Sequence, residues 1–194
     1  MRIIAGTKRG MKLLPPKNYD TRPITDRVKE SLFSVLYKYD VIEDGVIADL
    51  FCGTGSLGLE AISRGAKWVT FVEKDSKVTS ILERNIEKAG FVAESKVIRA
   101  NAFKIGAPIE VEGPAEEKYN LVFVDPPYMM STHTDTNSQL GRLLLGLCEQ
   151  LADEGIVSVR THKGSVLLDE YGRLKIIDKR QWGNMAVTLL QLGD

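Results

Sequence analysis

The sequence lacks the features that mark disulfide-rich, metal-binding or membrane-spanning chains. Its 194 residues include only two cysteines, Cys52 and Cys148, and neither has a second Cys or a His at the spacing of a metal site. No apolar stretch approaches the roughly 20 residues that cross a bilayer, and residues 1–6 lack the apolar core of a signal peptide. We therefore expect small buried cysteines, no disulfide, no metal, no membrane partner and a cytoplasmic location.

The chain as a whole has a net charge of zero, but its first 30 residues are basic. Residues 1–30 contain eight Lys or Arg against three acidic residues, and the remainder contains 18 basic and 23 acidic residues. A basic segment on an acidic body indicates a polyanionic partner, although a solvated tail is the alternative. The candidate phosphate contacts are Arg2, Lys8, Arg9, Lys12, Arg22 and Arg27.

Apolar strand patterns alternate with amphipathic helix patterns along most of the chain. Strands are predicted at residues 46–48, 68–72, 97–100, 119–124, 156–159, 174–177 and 186–190. This order predicts an α/β, Rossmann-like doubly wound sheet of seven mostly parallel strands that ends in an antiparallel hairpin. Residues 1–24 are predicted to form a separate arm or β-hairpin, and residues 25–194 the main domain.

Three helices have clear boundary signals. One starts near Asp26 after the cap Thr25, another ends at Gly90, and a third continues through Leu151 to Gly155. In the first helix, Arg27 and Lys29 lie in the first turn, where positive charge is unfavourable. This position predicts a phosphate or cofactor contact, with a solvated helix end as the alternative.

A Gly-x-Gly-x-x-Gly turn, Gly53 to Gly58, follows the first apolar run. Such a turn between a strand and a helix lets a nucleoside cofactor lie against the backbone. Glu73 ends the next strand 20 positions after Gly53, where a carboxylate accepts hydrogen bonds from ribose hydroxyls. Asp49 would oppose a pyrophosphate, so S-adenosylmethionine is favoured over a nicotinamide dinucleotide.

Asp125-Pro126-Pro127-Tyr128 ends the fourth apolar strand. The Asp125 carboxylate and the Pro126 carbonyl could accept the two hydrogens of a heteroaromatic amino group and direct its lone pair at a methyl donor. Tyr128 could hold the base flat. The alternative is a tight turn without chemistry. Because Asp49, Glu73, Asn101 and Asp125 all follow strands, they should share the carboxyl edge of the sheet.

These motifs resemble those of class I N-methyltransferases, and the chain resembles the RsmD family in particular. The resemblance covers most of residues 1–128. The matching segments are Arg2–Gly6, Arg9-Gly10, Pro15, Arg22–Phe33, Asp49–Gly55, Gly58–Ala66, Glu73 and Asp125–Tyr128. Members of this family methylate the exocyclic amino group of a guanine in 16S ribosomal RNA. The resemblance implies S-adenosyl-L-methionine as cofactor and ribosomal RNA within a 30S particle or assembly intermediate as partner. Nothing in the sequence suggests an obligate partner chain, so a monomer is expected.

The resemblance also implies roles for individual residues. The catalytic residues are Asp125, Pro126 and Tyr128, and the RNA-binding residues are the six basic candidates above. The cofactor-binding residues are Asp49, Phe51, Gly53, Thr54, Gly55, Glu73, Lys74, Asn101, Ala102 and Asp125. Two positions depart from the family pattern: Asn101 replaces an acid that touches the adenine amino group, and Cys52 replaces another small residue.

Three rival functions remain open from the sequence. The Asp-Pro-Pro-Tyr motif also suits amino methylation of adenine or cytosine in DNA, and the N-terminal segment argues against that reading. A non-catalytic RNA-binding assembly factor could keep the same glycine turn. A nicotinamide dehydrogenase fits least well. The loop 129–137 is expected to cover the target base, with His133 as a solvated side chain rather than a base.

Overall fold

The computed structural model of the protein describes residues 1–16, 24–109 and 118–193. At its centre lies a sheet of eight strands in the order β3-β2-β1-β4-β5-β8-β7-β6. The strands are β1 Val46–Leu50, β2 Trp68–Glu73, β3 Ser95–Arg99, β4 Tyr119–Val124, β5 Leu151–His162, β6 Glu170–Tyr171, β7 Leu174–Trp182 and β8 Met185–Leu192. The first five are mutually parallel where they pair, and the last three add antiparallel pairings.

This arrangement confirms the predicted α/β class and the closing hairpin, and it differs from the prediction in two details. A short eighth strand, β6, pairs with the start of β7. The helix predicted to run through Leu151 ends at Leu147, because Leu151 is already paired with Tyr119 of β4. An apolar residue after a helix can therefore belong to the next strand, which periodicity alone does not reveal.

Helices cover both faces of the sheet. They are α1 Asp26–Leu36, α2 Ser56–Ser63, α3 Ser76–Ala89, α4 Ala102–Ile105 and α5 Gln139–Leu147, with 3-10 turns at Tyr37–Tyr39 and Tyr128–Ser131. One hydrophobic cluster joins α1, α2 and α3 to one face, and a second joins α4 and α5 to the other. The predicted caps are present: Thr25 accepts from Val28 N at 3.4 Å, and Gly90 ends α3 at φ 73°.

The N-terminal segment, residues 1–16, lies against α2 and α3. Arg2 and Lys12 form an antiparallel bridge, and Ile3 between them is fully buried. A Cβ on Gly6 would lie 1.6 Å from the Ser63 carbonyl oxygen, so only glycine fits there. The segment is thus docked on two helices of the main domain, and the proposed boundary at residue 24 stays a prediction.

Candidate active site

The carboxyl edge of the parallel strands brings four predicted residues to one region. Asp49 lies near the end of β1 and Glu73 ends β2, whereas Asn101 and Asp125 follow β3 and β4. Because parallel strands end at the same edge, their terminal side chains converge there. The charges of Asp125 and Glu73 both raise the pKa of Asp49, which shows that these carboxylates are within electrostatic reach of one another.

The glycine turn leaves one side of its backbone uncovered. Phe51, Gly53 and Gly55 have φ values of 60°, 55° and 86°, which curl the chain tightly after β1. A Cβ on Gly55 would meet Leu82 Cδ1 at 2.4 Å, whereas one on Gly53 would meet no atom within 4 Å. Gly55 is favoured by its positive φ and crowded by the Leu82 side chain, whereas Gly53 borders open space where a ligand could lie.

Asp49 accepts a hydrogen bond from the first turn of α2. Its side chain is 1% exposed, and Oδ2 accepts a hydrogen bond from Gly58 N at 2.8 Å. Burial raises the pKa of Asp49 to about 7, although the Gly58 bond lowers it. The carboxylate satisfies an N–H of the first turn of α2 and opposes a second anion at this helix end. A phosphate-bearing cofactor is thereby disfavoured.

Glu73 joins the two turns that follow β1 and β2. Its carboxylate accepts from Gly53 N at 3.1 Å and from Asp75 N at 2.9 Å. The side chain is partly exposed beside the open side of Gly53, and each carboxylate oxygen can accept a further hydrogen bond. Lys74 is exposed next to it, whereas Thr54 is buried and its carbonyl accepts from Asn85 Nδ2 at 3.0 Å.

An aromatic pair lies on the β3 side of the turn. The rings of Phe51 and Phe103 have centroids 4.7 Å apart. Asn101 caps α4 by accepting from Phe103 N at 3.0 Å, and Ala102 beside it is buried. The predicted adenine contact through Asn101 stays a prediction, since part of its acceptor capacity is used by the cap. Phe103 was not among the predicted site residues.

Asp125 is paired with Arg160, a residue that the sequence analysis missed. Arg160 Nε donates to Asp125 Oδ1 at 2.5 Å, and the two side chains are 10% and 18% exposed. Burial raises the pKa of Asp125, while the charge and hydrogen bond of Arg160 lower it. The register explains the pairing: Val124 of β4 lies opposite Val159 of β5, so the next residues of both strands are neighbours.

Tyr128 is held by neighbours from the end of β5. Its ring meets the His162 ring edge-on at 5.8 Å, and the Arg160 guanidinium lies 6.0 Å from its centroid. His162 Nδ1 accepts from Gly164 N at 3.1 Å. Pro126, which lies between Asp125 and Tyr128 in the chain, is buried, and His133 is exposed. Asp125, Tyr128, Arg160 and His162 therefore form one cluster at the carboxyl edge.

A family of known proteins matches nearly the whole chain. The family model described as conserved hypothetical protein 95 matches residues 1–191. The chain belongs to this family. Ribosomal RNA small subunit methyltransferase D of Escherichia coli (strain K12) is 37% identical over 170 residues, which are 83% of this chain and 74% of that relative. The RsmD resemblance is confirmed, and the family match extends it beyond residue 128 to β8.

Solved structures agree with this family assignment. That of yhhF from Escherichia coli is 33% identical, with a TM-score of 0.79 over 99% of this chain and 97% of that one. An RNA methyltransferase from Salinibacter ruber in complex with S-adenosyl-L-homocysteine is 16% identical. It has a TM-score of 0.62 over 88% of this chain and 94% of its own, and it shows the shared fold alone.

The predicted RNA-binding residues that the structure describes are not gathered at the carboxyl edge of the sheet. Two of them, Arg2 and Lys8, lie near opposite ends of α2. Arg2 lies at the glycine-turn end, because Lys29 Nζ donates both to its carbonyl and to Ser56, the first residue of α2. Lys8 lies at the opposite end, where its N–H donates to Ser63 Oγ. Arg9 and Lys12 are exposed on the same segment and Arg27 on α1, whereas Arg22 lies outside the described residues.

Lys29 is not a ligand contact, so that prediction is wrong. Its side chain is 1% exposed and forms an ion pair with the fully buried Glu60 at 3.1 Å. Glu60 also accepts from Ile4 N at 2.7 Å and Ala5 N at 3.0 Å. The lysine sits in the first turn of α1 because it neutralises an acid that holds the N-terminal segment, which a one-dimensional charge pattern does not show.

Neither a metal cluster nor a membrane span is found in the part of the chain that the structure describes. Within residues 1–16, 24–109 and 118–193, no group of three or more His, Cys, Asp or Glu could hold a metal ion. The helices in those ranges are too short or too polar to cross a bilayer. Both cysteines are free and buried, as predicted.

Proposed function

We propose that the protein transfers a methyl group from S-adenosyl-L-methionine to the exocyclic N2 amino group of a guanine in small-subunit ribosomal RNA. The observation that carries this proposal is the position of Asp125 and its Arg160 partner at the edge that also holds the glycine turn and Glu73. A methyl donor bound at the glycine turn could therefore face an amino group held at Asp125. The names of the family relatives agree with this activity.

The residues at the glycine turn fit a cationic, ribose-bearing ligand without phosphate. Asp49 occupies the helix N–H that a phosphate would use, and Glu73 provides ribose acceptors. The Phe51–Phe103 pair offers an apolar surface beside the turn, which suits an adenine ring. When bound, S-adenosylmethionine supplies an electrophilic methyl group on a sulfonium. Residues 49–55 and Glu73 would orient it toward Asp125.

The acceptor nitrogen is prepared by hydrogen bonding. A carboxylate has about four lone-pair sites, so the Arg160 bond to Asp125 leaves capacity for an amino hydrogen. The Pro126 carbonyl accepts the second hydrogen, because neither proline offers an N–H that would compete. Tyr128 holds the base flat. Asp125, Pro126 and Tyr128 would thereby hold the nitrogen toward the methyl group that the cofactor supplies, an orientation effect worth several kcal/mol. The proton released after transfer passes to water.

A basic surface on the N-terminal segment and α3 would hold the RNA backbone. Lys88 Nζ donates to the Lys12 carbonyl at 2.6 Å, so the two lysines are adjacent. Lys77, Arg84 and Lys88 lie on the flank of α3 that faces the segment, since their spacing of seven and four residues repeats with the helix. The acidic Glu83 and Glu87 lie on the other flank. Phosphates attract such a basic strip.

Labelling of RNA tests the proposed activity. Radiolabelled S-adenosylmethionine should label 16S RNA in under-methylated 30S particles or in naked form, and digestion should yield N2-methylguanosine. Asp125→Ala should abolish labelling and leave cofactor affinity within about tenfold. The control Asp153→Ala removes an exposed acid and should behave as the parent protein.

Each other outcome identifies a different failure. No label in either RNA form would refute the activity, and labelled DNA would favour the rival DNA substrate. RNA binding without transfer would favour an assembly factor. A ribosomal substrate, free or within a 30S particle, would place the protein in the cytoplasm. Labelling of particles but not of naked RNA would identify the particle as the substrate.

A further inference from the structure

Met129 is a large apolar side chain exposed beside the candidate active site. It is 90% exposed and directly follows Tyr128 of the Asp125–Tyr128 motif. Single exposed apolar residues are common on protein surfaces, so exposure alone assigns no role. Two features distinguish Met129 from such residues: its position next to Tyr128 and the hydrogen-bonded turn that carries it.

The turn that carries Met129 is fixed by several hydrogen bonds. Met130 N donates to the Pro127 carbonyl at 2.8 Å, and Thr132 Oγ1 lies 3.2 Å from the carbonyl oxygens of both Tyr128 and Met129. Ser131 is fully buried. Met129 is therefore presented to solvent by an ordered backbone rather than by a loose loop.

The end of this turn is also tied to neighbouring segments. Thr134 Oγ1 donates to the Val166 carbonyl, and the hydroxyl of the buried Tyr171 donates to the Thr134 carbonyl, both at 2.5 Å. These bonds connect Thr134, just after the turn, to β6 and to the loop after β5. They restrain the segment that carries Met129.

Met129 lies next to Tyr128 in the chain but outside the cluster that Tyr128 forms. Tyr128 directs its ring at His162 and Arg160. Successive residues of a 3-10 turn point about 120° apart, so Met129 faces away from that cluster, as its exposure shows. A base bound against Tyr128 would not cover Met129. The nucleotides on either side of that base would pass it.

We propose that Met129 packs against a nucleobase adjacent to the target guanine and takes the place in the stack that the target leaves on entering the pocket. This inference rests on the proposed function. Unbranched thioether side chains adapt to irregular surfaces, and Met is among the side chains that insert between bases. Single-stranded bases stack on such surfaces with little dependence on sequence.

The surroundings of Met129 favour a nucleobase over a protein partner. Along the chain after Met129, the side chains of Thr132, His133, Thr136 and Asn137 are exposed and polar. Val166 and Leu168, on the segment bonded to Thr134, are exposed and apolar. Three apolar side chains are far fewer than the roughly 20 to 30 residues that each side of a protein interface contributes. The Met129 side chain is large enough for one face of a base, and the polar side chains that follow it can bond the sugar and phosphates.

Binding and transfer with a synthetic RNA test this inference. The RNA is the fragment that carries the guanine mapped by the labelling experiment, and a matched series has an abasic site at each neighbouring position. Met129→Ala should weaken RNA binding about tenfold and leave S-adenosylmethionine affinity unchanged, and Met129→Leu should restore binding. The control Tyr37→Ala removes another exposed side chain, 76% accessible at the far end of α1, and should have no effect.

The abasic series distinguishes stacking from general destabilisation. At one neighbouring position, loss of the base should cost the parent about tenfold in affinity and cost Met129→Ala nothing further. Equal losses in both proteins, or unchanged RNA affinity in an active Met129→Ala, would refute the contact while the proposed function stands. A dimer that sedimentation detects in the parent but not in Met129→Ala would also refute it. Absence of transfer by the parent would refute both.

Discussion

At the scale of single residues, the acids Asp49 and Asp125 of the candidate site have different hydrogen-bond partners. Asp49 has the Gly58 N–H as its hydrogen-bond donor and a pKa raised to about 7 by burial. Asp125 has a cation, Arg160, whose charge lowers a pKa that burial raises. The first acid supports the turn and the second is the proposed acceptor of an amino hydrogen, so substitutions at the two should change the pH dependence of different properties.

Asp49→Asn should stabilise the protein at alkaline pH. The folded protein binds a proton at Asp49 between its ordinary pKa of 3.8 and about 7, so the free energy of unfolding from this group falls as the pH rises through that window. The amide oxygen can still accept from Gly58 N. Urea unfolding at pH 8 should show a gain on the order of 3 kcal/mol over the parent, and the gain should largely vanish near pH 4.

The matched control for Asp49 is Asp153→Asn, because Asp153 is exposed. That variant should follow the parent at both pH values. A loss of stability in Asp49→Asn at pH 8 would contradict the assignment of a costly buried charge.

Arg160→Met should move the acidic limb of the pH–rate profile for methyl transfer to higher pH. Without the guanidinium, the pKa of Asp125 rises further, and a protonated carboxyl loses acceptor capacity. For each pH unit by which that pKa rises, the ionised fraction on the acidic side falls about tenfold. Single-turnover transfer measured from pH 6 to 9 should recover at high pH, with cofactor affinity unchanged. Arg160→Lys should lie between Arg160→Met and the parent. A rate loss that is equal at every pH would indicate a structural role instead.

At the scale of elements, one buried amide joins the N-terminal segment, α3 and the glycine turn. Asn85 is fully buried. Its Oδ1 accepts from Leu14 N at 2.8 Å, and its Nδ2 donates to the carbonyls of Leu14 at 3.2 Å and Thr54 at 3.0 Å. Glu60, which forms an ion pair with Lys29, holds the first part of the segment because it accepts from Ile4 N and Ala5 N. The N-terminal segment and the glycine turn are thus joined through hydrogen bonds of Asn85.

Asn85→Ala should loosen both elements together. It removes three hydrogen bonds and leaves buried backbone groups unpaired, which costs about 2 to 4 kcal/mol. Hydrogen exchange should show faster exchange at Leu14, and calorimetry should show weaker binding of S-adenosylmethionine. Ser80→Ala is the control, because Ser80 bonds only the Ser76 carbonyl of its own helix among the contacts described. Parent-like exchange at Leu14 would contradict the coupling.

At the scale of the whole molecule, the charge is divided between an acidic body and a basic N-terminal surface. The net charge is zero, so non-specific attraction to RNA must come from that local surface rather than from the total. Its lysines run from the segment beside Ser63 to the flank of α3. The surface spans the length of α2, and an extended RNA could contact it while one base enters the pocket.

Neutralising two lysines of this surface should reduce the salt dependence of RNA binding. Each lysine that contacts a phosphate contributes about one to the slope of log K against log salt, so Lys12→Gln with Lys88→Gln should lower it by about two. Lys179→Gln, on the exposed surface of β7, should leave the slope unchanged. Fluorescence anisotropy measured from about 50 to 200 mM salt gives the slope. An unchanged slope in the double variant would move the RNA surface elsewhere.

Local patterns were sufficient for the fold and for the placement of the main motifs at the ends of strands. Alternating strands and helices, the glycine turn and the strand-ending acids depend on spacing along the chain, so the α/β sheet and the edge that collects Asp49, Glu73 and Asp125 could be predicted. The assigned binding and catalytic roles stay predictions. Helix ends were less secure, as Leu151 shows, because one apolar residue can continue a helix or begin a strand.

What the sequence by itself determined was the order of elements and the residue types at each strand end, since both follow from local backbone preference and hydrophobic period. The tertiary structure alone decided which distant charges meet. Arg160 reaches Asp125 through strand register, and Lys29 reaches Glu60 through the packing of α1 on α2. Such pairs form because buried charges must be compensated by whichever element lies opposite, and that element is not specified by nearby residues.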